Sequence, residues 1–234
     1  MPMRRGTKGE VFDLPELRDH TEVFRDRAAA AAVLAEMLTA YRDTSALVLA
    51  IPDGGIPVGA GIARPLGLDL DVMVTSKVTF PWNPEAGFGA LAFDGTLLLN
   101  DHLVAVSGLT HADVDAGLLE ARRKVARRVE LFRGERPMPD LAGRSVFLVD
   151  DGLATGYTML AAISAARKAG AAEIFVAVPT GHRESVHRLV AEVEALYCPN
   201  VRGGVRYAVA EAYQHWHDVS EDEAKRLLDD FASH

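Results

Sequence analysis

Cysteine is almost absent from this chain of 234 residues, since Cys198 is the only one. A single thiol cannot form an internal disulfide, and a reducing cytoplasm is therefore the expected compartment. Long hydrophobic runs are missing as well. The alanine-rich stretch that begins at Ala28 is interrupted by Glu36, well short of the roughly 20 apolar residues that a membrane span needs. Arg4 and Arg5 are not followed by an apolar segment, so no signal peptide is expected.

Basic residues are also in deficit, because 25 lysines and arginines face 33 aspartates and glutamates and leave a formal net charge of −8. A chain of this charge is not expected to bind nucleic acid through a general basic surface. Hydrophobic residues, in contrast, make up 49% of the chain, enough for a single domain over residues 1–234 with a sizeable core. Only the polar residues 1–21 are expected to form a loose N-terminal arm.

Residues 146–159 combine the features of a ligand-binding junction. They begin with Val-Phe-Leu-Val, which predicts a buried parallel strand. Two carboxylates come next, then a turn that contains glycine and threonine, and then apolar residues at helical spacing from Met159. In an open α/β sheet, ligands bind at such a junction, beyond the carboxyl end of the strand.

The turn itself has the chemistry of a phosphate site. Backbone N–H groups of residues 154–157 would lie at the positive end of the following helix, which favours an anion. Gly152 and Gly156 would let the backbone fold tightly and approach a ligand closely. The hydroxyls of Thr155 and Thr158 would add two donors.

The acidic pair Asp150 and Asp151 needs a different partner, because carboxylates repel phosphate. The pair would either accept hydrogen bonds from sugar hydroxyls or hold a Mg²⁺ that belongs to the ligand. A diol beside a phosphate indicates a phosphorylated sugar. Other loops fit less well: a Walker-type P-loop needs a lysine that is missing here, and a Rossmann loop carries its acid downstream of the turn.

The sequence Val-Asp-Asp-Gly-Leu-Ala-Thr-Gly-Tyr-Thr-Met over residues 149–159 resembles the phosphoribosyl-pyrophosphate (PRPP) motif of the type I phosphoribosyltransferases. The resemblance implies that the acidic pair holds the ribose hydroxyls and that the following loop holds the 5′-phosphate. Ala154 replaces the usual first threonine of the motif and Tyr157 a usual small residue, but the backbone donors remain. Mg²⁺ is implied as a cofactor bound through PRPP, with the acidic pair as candidate ligands. The residues implied in PRPP binding are Asp150, Asp151, Gly152, Leu153, Ala154, Thr155, Gly156, Tyr157 and Thr158.

A second glycine turn follows a strand predicted over residues 46–51. It consists of Pro52, Asp53, Gly54 and Gly55 and leads into a predicted helix, an arrangement that is more often structural than anion-binding. Beside the first motif, it resembles the pyrophosphate loop of the family. Asp53 departs from the basic or neutral residue that is usual there, so it either faces away from the pocket or helps to hold Mg²⁺.

Lys77 follows a strand predicted over residues 70–74. Its position resembles that of a family lysine that counters the charge of the departing pyrophosphate, and the resemblance therefore implies a catalytic role beside Asp150 and Asp151. A solvated lysine at the end of a strand is the alternative.

Residues 79–89 contain glycine, proline and large aromatic residues and predict an active-site lid, which the resemblance also implies. The lid candidates are Trp82, Asn83 and Glu85; a rigid loop, anchored by Trp82 and Phe88 as core aromatic residues, is the alternative. Asp94-Gly95 predicts the turn of a hairpin, so that lid and hairpin together occupy residues 78–95.

Tyr213 and Trp216 are candidates for stacking on a planar base, with ordinary packing as the alternative. His215 and His217 lack a carboxylate or cysteine partner and would make a poor metal site. A long helix predicted over residues 110–132 carries a basic face, for which solvent is the favoured neighbour over nucleic acid or a dimer partner.

Strands that alternate with helices predict an α/β fold with a central, mostly parallel sheet flanked by helices and a small hood or lid region. The segments Phe-Arg-Asp-Arg at residues 24–27 and Asn-Pro-Glu at residues 83–85 extend the resemblance to a bacterial branch of phosphoribosyltransferases of unassigned substrate.

The functional hypothesis is a Mg²⁺-dependent enzyme of cytoplasmic nucleotide metabolism, which transfers the 5-phosphoribosyl group of PRPP to a nitrogenous base or amine and releases pyrophosphate. One alternative is a non-catalytic regulatory protein that binds PRPP or a nucleotide on the same fold. A phosphate-binding hydrolase or phosphotransferase ranks last, because the sequence offers no good nucleophile or metal cluster. Neither a membrane nor a nucleic acid is an expected partner, and the resemblance leaves a homodimer open.

Overall fold

The computed structural model describes residues 9–233, in which strands and helices alternate. The strands are β1 (Glu10–Phe12), β2 (Leu47–Ala50), β3 (Asp69–Val72), β4 (Thr75–Phe80), β5 (Asn83–Ala92), β6 (Leu97–Leu99), β7 (Ser145–Val149), β8 (Glu173–Ala177), β9 (Thr180–His182), β10 (Ala195–Tyr197) and β11 (Asn200–Arg202). The α-helices are α1 (Arg27–Met37), α2 (Gly55–Leu66), α3 (Asp101–Val106), α4 (His111–Arg133), α5 (Tyr157–Lys168), α6 (Arg183–Val190) and α7 (Glu221–Ala232).

Six parallel strands form the central sheet, in the order β1-β10-β8-β7-β2-β3. Strands β9 and β11 form a separate parallel pair, and β4, β5 and β6 form a three-stranded antiparallel sheet. The predicted α/β class with a mostly parallel central sheet is confirmed.

The central strand β7 is buried on both faces, which explains its uninterrupted apolar sequence. Val146 and Leu148 join a core cluster that includes the buried face of α5. Phe147 and Val149 point to the opposite face and join a cluster formed largely by α1 and α2. The two-residue period of a strand therefore divides this apolar run between two helical layers.

The order of the strands reverses between β2 and β7. From β2 the chain continues to the neighbouring strand β3 on one side, and from β7 it continues to β8 on the other. Ala50 and Val149 are paired at the ends of the two strands, so the loops that follow them start side by side. Such a switch point is where open α/β sheets form a ligand crevice.

An antiparallel sheet lies where the sequence predicts a loop over residues 79–89. Strands β4 and β5 form a twisted ribbon with register irregularities between Val78 and Thr79 and between Thr79 and Phe80. Lys77 therefore lies within β4, not at the end of a strand as predicted. The predicted hairpin turn at Asp94-Gly95 is confirmed, because it joins the paired strands β5 and β6.

The predicted loose arm is wrong for its described part. Strand β1 pairs with β10 at the edge of the central sheet, and a single 3₁₀ turn follows at Pro15–Leu17. A three-residue strand carries too little pattern to be recognised in a polar segment. Residues 1–8 lie outside the described part. Within residues 9–233, no helix combines the length and apolar character that crossing a bilayer would take.

Candidate active site

Two adjoining cavities lie at the switch point of the sheet. The first, of about 420 Å³, is lined by residues 150–158, by Val209 and by part of β5. The second, of about 230 Å³, is lined by the end of β2, by β4 and by α4. Lys77, Asp150 and Thr158 line both cavities and therefore stand between them.

The loop that follows β7 presents an uncapped helix end to the first cavity. Gly156 adopts a left-handed conformation with φ of 79°, and α5 begins directly after it without a side-chain cap. Side chains do cap the N-termini of α1, α3, α4 and α7. The Ala154 carbonyl accepts a hydrogen bond of 2.5 Å from Ser185 Oγ, which helps to fix the loop. The first N–H groups of α5 are thus available to an anion.

Backbone bonds to β9 also fix this loop. Leu153 donates to the carbonyl of Thr180 at 2.9 Å and accepts from the N–H of His182 at 2.8 Å. Gly152 is required for a further close approach, because a β-carbon there would stand 2.3 Å from a methyl group of Val209. The loop is therefore held in place by neighbouring segments before any ligand binds.

Asp151 is held by Arg27, a residue that the sequence analysis did not assign to the site. Nε and Nη2 of Arg27 donate to Oδ2 of Asp151 at 2.9 and 2.8 Å, and Nη1 donates to the carbonyl of His217 at 2.8 Å. The guanidinium also lies over the ring of Trp216, 3.9 Å from its centroid. In the sequence, Arg27 is marked only by its place at the start of a helix and in the Phe-Arg-Asp-Arg segment of the family resemblance, and neither indicates its partner.

Burial raises the pKa of both acids in the pair. The pKa of Asp150 is held well above its ordinary value by desolvation and by the neighbouring charge of Asp151. Desolvation likewise raises the pKa of Asp151, although Arg27 acts in the opposite direction. The charged form of a desolvated carboxylate is stabilised by any ligand that brings hydroxyl donors or a cation.

The glycines of the second loop allow it to lie directly against the first. A β-carbon on Gly54 would stand 1.9 Å from Oδ2 of Asp151, and one on Gly55 would stand 2.6 Å from the carbonyl oxygen of Val149. Pro52, from the same loop, lines the second cavity.

Asp53 is paired with Arg128 of α4 and does not line either cavity. This placement agrees with the first of the two alternatives, in which the acid faces away. Burial raises the pKa of Asp53, and Oδ1 has no hydrogen-bond partner within the described chain. Arg128 also donates to Glu221 at 3.1 Å, so it bridges two acids.

Helix α4 brings further cations to the second cavity. Lys124 and Arg128 line it together with Lys77 from β4. The prediction that solvent would cover this face of the helix is wrong for Arg128, which is only 9% exposed. The sequence could not place these side chains, because a basic face on a long helix is equally typical of a solvated surface.

The ribbon of β4 and β5 forms a wall of both cavities. Pro84 lines the second cavity, and Ala86 and Gly87 line the first. Of the lid candidates, Trp82 is 63% exposed and stacks on Phe80.

The other lid candidates occupy the turn and strand of this ribbon. Asn83 accepts a hydrogen bond from the N–H of Ala86 at 3.3 Å within the turn. The side chain of Glu85 lies outside the described part of the structure.

The two aromatic candidates for base stacking pack elsewhere. Tyr213 is 4% exposed, and its hydroxyl donates to the carbonyl of Asp151 at 2.6 Å. Its ring therefore offers no open face to a base, contrary to the stacking prediction. Trp216 is covered by Arg27, and neither aromatic residue lines the two cavities. Tyr213 supports the acidic loop through its hydroxyl, and Trp216 packs on the Arg27 side chain that holds Asp151.

Asp150 is the acid best placed for a metal bound through a ligand. It stands between the cavities, while Asp151 and Asp53 are already paired with arginines. In the described part of the chain, no cluster of three or more histidine, cysteine or acidic side chains could hold a metal ion. One carboxylate beside ligand oxygens fits Mg²⁺, which usually binds through one or two carboxylates, substrate phosphates and water.

Comparisons with known proteins agree with this architecture. The profile of the phosphoribosyl transferase domain matches residues 16–211. A protein described as a candidate phosphoribosyl transferase, from two strains of Mycobacterium tuberculosis, is 36% identical over 208 residues. That alignment covers 89% of this chain and 47% of the relative, so the chain spans about half the length of the curated relatives that it matches.

A solved structure gives a similar result for the fold. The crystal structure of the protein TT1426 from Thermus thermophilus is 35% identical in sequence and superposes with a TM-score of 0.71. The superposition covers 89% of this chain and 98% of that one. Together with the profile match over most of the sequence, these likenesses show that the chain belongs to the phosphoribosyl transferase domain family.

Proposed function

We propose that this chain transfers the 5-phosphoribosyl group of PRPP to a nitrogenous base or amine and releases pyrophosphate. The observation that carries the proposal is the pair of adjoining cavities that share Lys77, Asp150 and Thr158. PRPP has an anion at each end of its sugar. The uncapped N-terminus of α5 lies at the first cavity, and a cluster of cationic side chains lines the second. The acidic pair lies between these two anion sites.

In this proposal the 5′-phosphate binds residues 154–158. The N–H groups at the start of α5, with the hydroxyls of Thr155 and Thr158, donate to its oxygens. The ribose hydroxyls donate to Asp150 and Asp151, and this relieves the cost of two desolvated carboxylates. Arg27 fixes the orientation of Asp151 before the sugar arrives.

The pyrophosphate group occupies the second cavity, next to Pro52, Lys77 and α4. Lys77 balances the charge that develops on the leaving group. When bound with the pyrophosphate, Mg²⁺ supplies further positive charge there, and Asp150 is the side chain that would hold it. The metal and its ligands are part of this proposal.

The chemical step breaks the bond between the anomeric carbon and pyrophosphate, and a nitrogen of the acceptor forms the new bond. Positive charge develops on the sugar, where Asp150 and Asp151 stabilise it electrostatically. The ribbon of β4 and β5 walls the site and limits the access of water, which would otherwise compete with the acceptor. Orientation of the donor between two anchored ends supplies the remainder of the rate enhancement.

Release of pyrophosphate from PRPP and Mg²⁺, measured across a panel of purines, pyrimidines and amines, tests the proposal. At least one acceptor should support release, and the double variant Asp150→Asn with Asp151→Asn should abolish it. The proposal fails if the double variant retains full PRPP binding and turnover. Tight binding of PRPP without release by any acceptor would favour the regulatory alternative, and release of inorganic phosphate would favour a hydrolase.

A further inference from the structure

The second cavity is lined on two sides by polar side chains from different elements. On β4, Thr75, Ser76, Lys77 and Thr79 line the cavity. On α4, Lys124 and Arg128 are four residues apart and share a face of the helix. Helix α4 packs closely on this ribbon, because a β-carbon on Gly117 would stand 3.2 Å from Phe88.

Among the cations that α4 brings to the cavity, the charge of Arg128 is already balanced. It is paired with both Asp53 and Glu221. Lys124 lacks a hydrogen bond or ion pair with any residue in the described range 9–233. Desolvation and the nearby charge of Arg128 lower the pKa of Lys124, and the charges of Asp53 and Glu221 offset these effects only in part.

Thr75 supplies a second, independent sign of a missing ligand. The residue is 2% exposed and lines the cavity, and its Oγ1 has no hydrogen-bond partner in the part of the chain that the structure describes. A buried hydroxyl without a partner is costly, so it is expected to have one in the functional state. A phosphate oxygen in the cavity would accept its hydrogen bond.

We propose that Lys124 and Thr75 bind the terminal phosphate of the pyrophosphate group. This inference rests on the proposed function, which places pyrophosphate in the second cavity. Helix α4, which is not part of the central sheet or of its switch-point loops, then completes the site beside the Pro52 loop, to which Arg128 connects it through Asp53. The long helix thereby distinguishes donors by their number of phosphates, because a sugar monophosphate cannot reach it.

Calorimetric titration of the full chain with inorganic pyrophosphate in MgCl₂, and separately with ribose 5-phosphate, tests this inference. The variant Lys124→Gln should weaken pyrophosphate binding about tenfold or more, the loss expected for one charge-assisted hydrogen bond. Its affinity for ribose 5-phosphate should stay within twofold. The matched control is Arg123→Gln, on the exposed face of the same helix, where both affinities should remain unchanged.

Thr75→Val provides a second test, and its expected result differs from that of a purely structural role for Thr75. The substitution removes an unpartnered buried hydroxyl at nearly constant volume, so the variant should unfold at no lower urea concentration than the parent chain. Its affinity for pyrophosphate should nevertheless fall severalfold. If the single variants Lys124→Gln and Thr75→Val both bind pyrophosphate as tightly as the parent chain, the inference is overturned and the proposed function stands. A parent chain that binds neither pyrophosphate nor ribose 5-phosphate would overturn both.

Discussion

Arg27 neutralises Asp151, one of the two adjacent acids of the candidate site. Its side chain is 8% exposed and that of Asp151 is 15% exposed, so the pair lies out of bulk water. Removing one partner of such a pair leaves the other charge buried without compensation, which costs far more than the loss of a surface pair.

Replacement of Arg27 should therefore destabilise the fold as well as the site. Arg27→Met is expected to lower the free energy of unfolding by about 3 kcal/mol, as measured by urea denaturation at pH 7. Combining it with Asp151→Asn should recover much of this loss, because the stranded charge is then removed.

The neighbouring residue Arg25 provides the control for this comparison. It pairs with Asp26 at the surface and is 67% exposed. Arg25→Met should change the free energy of unfolding by less than about 0.5 kcal/mol. Equal losses in the two single variants would rule out a special role for the buried pair.

The position of a candidate-site residue in the fold is predictable from the sequence where the residue follows a strand, and much less so where it comes from a helix. Asp150, Asp151 and the glycine turns stand next to strands whose carboxyl ends must meet, so local pattern and topology agree. Arg27, Lys124 and Arg128 reach the site only through tertiary packing. Their local sequences are those of ordinary helices, which carry no sign of what the side chains will meet.

At the scale of elements, the first turn of α7 is attached to α4 by a charge cluster. Glu221 accepts two hydrogen bonds of 2.6 Å from Arg127 and one of 3.1 Å from Arg128. The hydrogen bonds of Arg127 are the largest cause of the lowered pKa of Glu221. Because its folded-state pKa lies below the unfolded value of 4.5, this contact stabilises the protein fully above that value and is lost as the pH falls through the folded-state pKa.

The variant Glu221→Gln should therefore show a stability deficit that depends on pH. We expect a loss of about 1 kcal/mol at pH 7 and a difference from the parent chain that shrinks to near zero under strongly acidic conditions. Urea denaturation over a pH series measures both quantities.

Asp222→Asn is the matched control for Glu221→Gln. Asp222 lies in the same first turn of α7 and experiences the same helix dipole, but the hydrogen bonds that Arg127 and Arg128 make to this turn go to Glu221. Its substitution should produce a smaller deficit. A pH-independent loss in Glu221→Gln would show that the arginine contacts are not responsible.

Element prediction succeeds for long periodic segments and fails for short or irregular ones. Helix α4 is predictable because its apolar positions repeat over many turns and because Thr110 and Asp113 form a capping box. Strand β1 is not predictable from the sequence, because its three residues cannot establish a period. The ribbon of β4 and β5 resembles a loop in sequence, since its glycines and prolines are typical of turns although they also accommodate bulges.

At the scale of the whole molecule, the candidate site joins segments from most of the chain. Its residues come from the ends of β2 and β7, from β4 and β5, and from α1 and α4. A ligand that contacts all of these segments binds only the folded state, and it should stabilise the entire domain by mass action.

Saturation with PRPP and Mg²⁺ should accordingly raise the melting temperature. At a ligand concentration about 100 times the dissociation constant, the gain is about 2.7 kcal/mol, or roughly 5–10 °C for a domain of this size. Differential scanning calorimetry measures the shift. Unphosphorylated ribose serves as the control ligand, and an equal shift with ribose or in the Asp150→Asn and Asp151→Asn double variant would contradict the assignment.

The contact between Gly54 and Asp151 also constrains how this protein can be re-engineered. Because the side-chain oxygen of Asp151 occupies the space of a β-carbon at position 54, neither loop accepts a replacement chosen for that loop alone. A design that aims to change the spacing between the two anion sites must replace both loops together. The two loops lie far apart in the sequence, with α4 and the whole β4–β6 sheet between them.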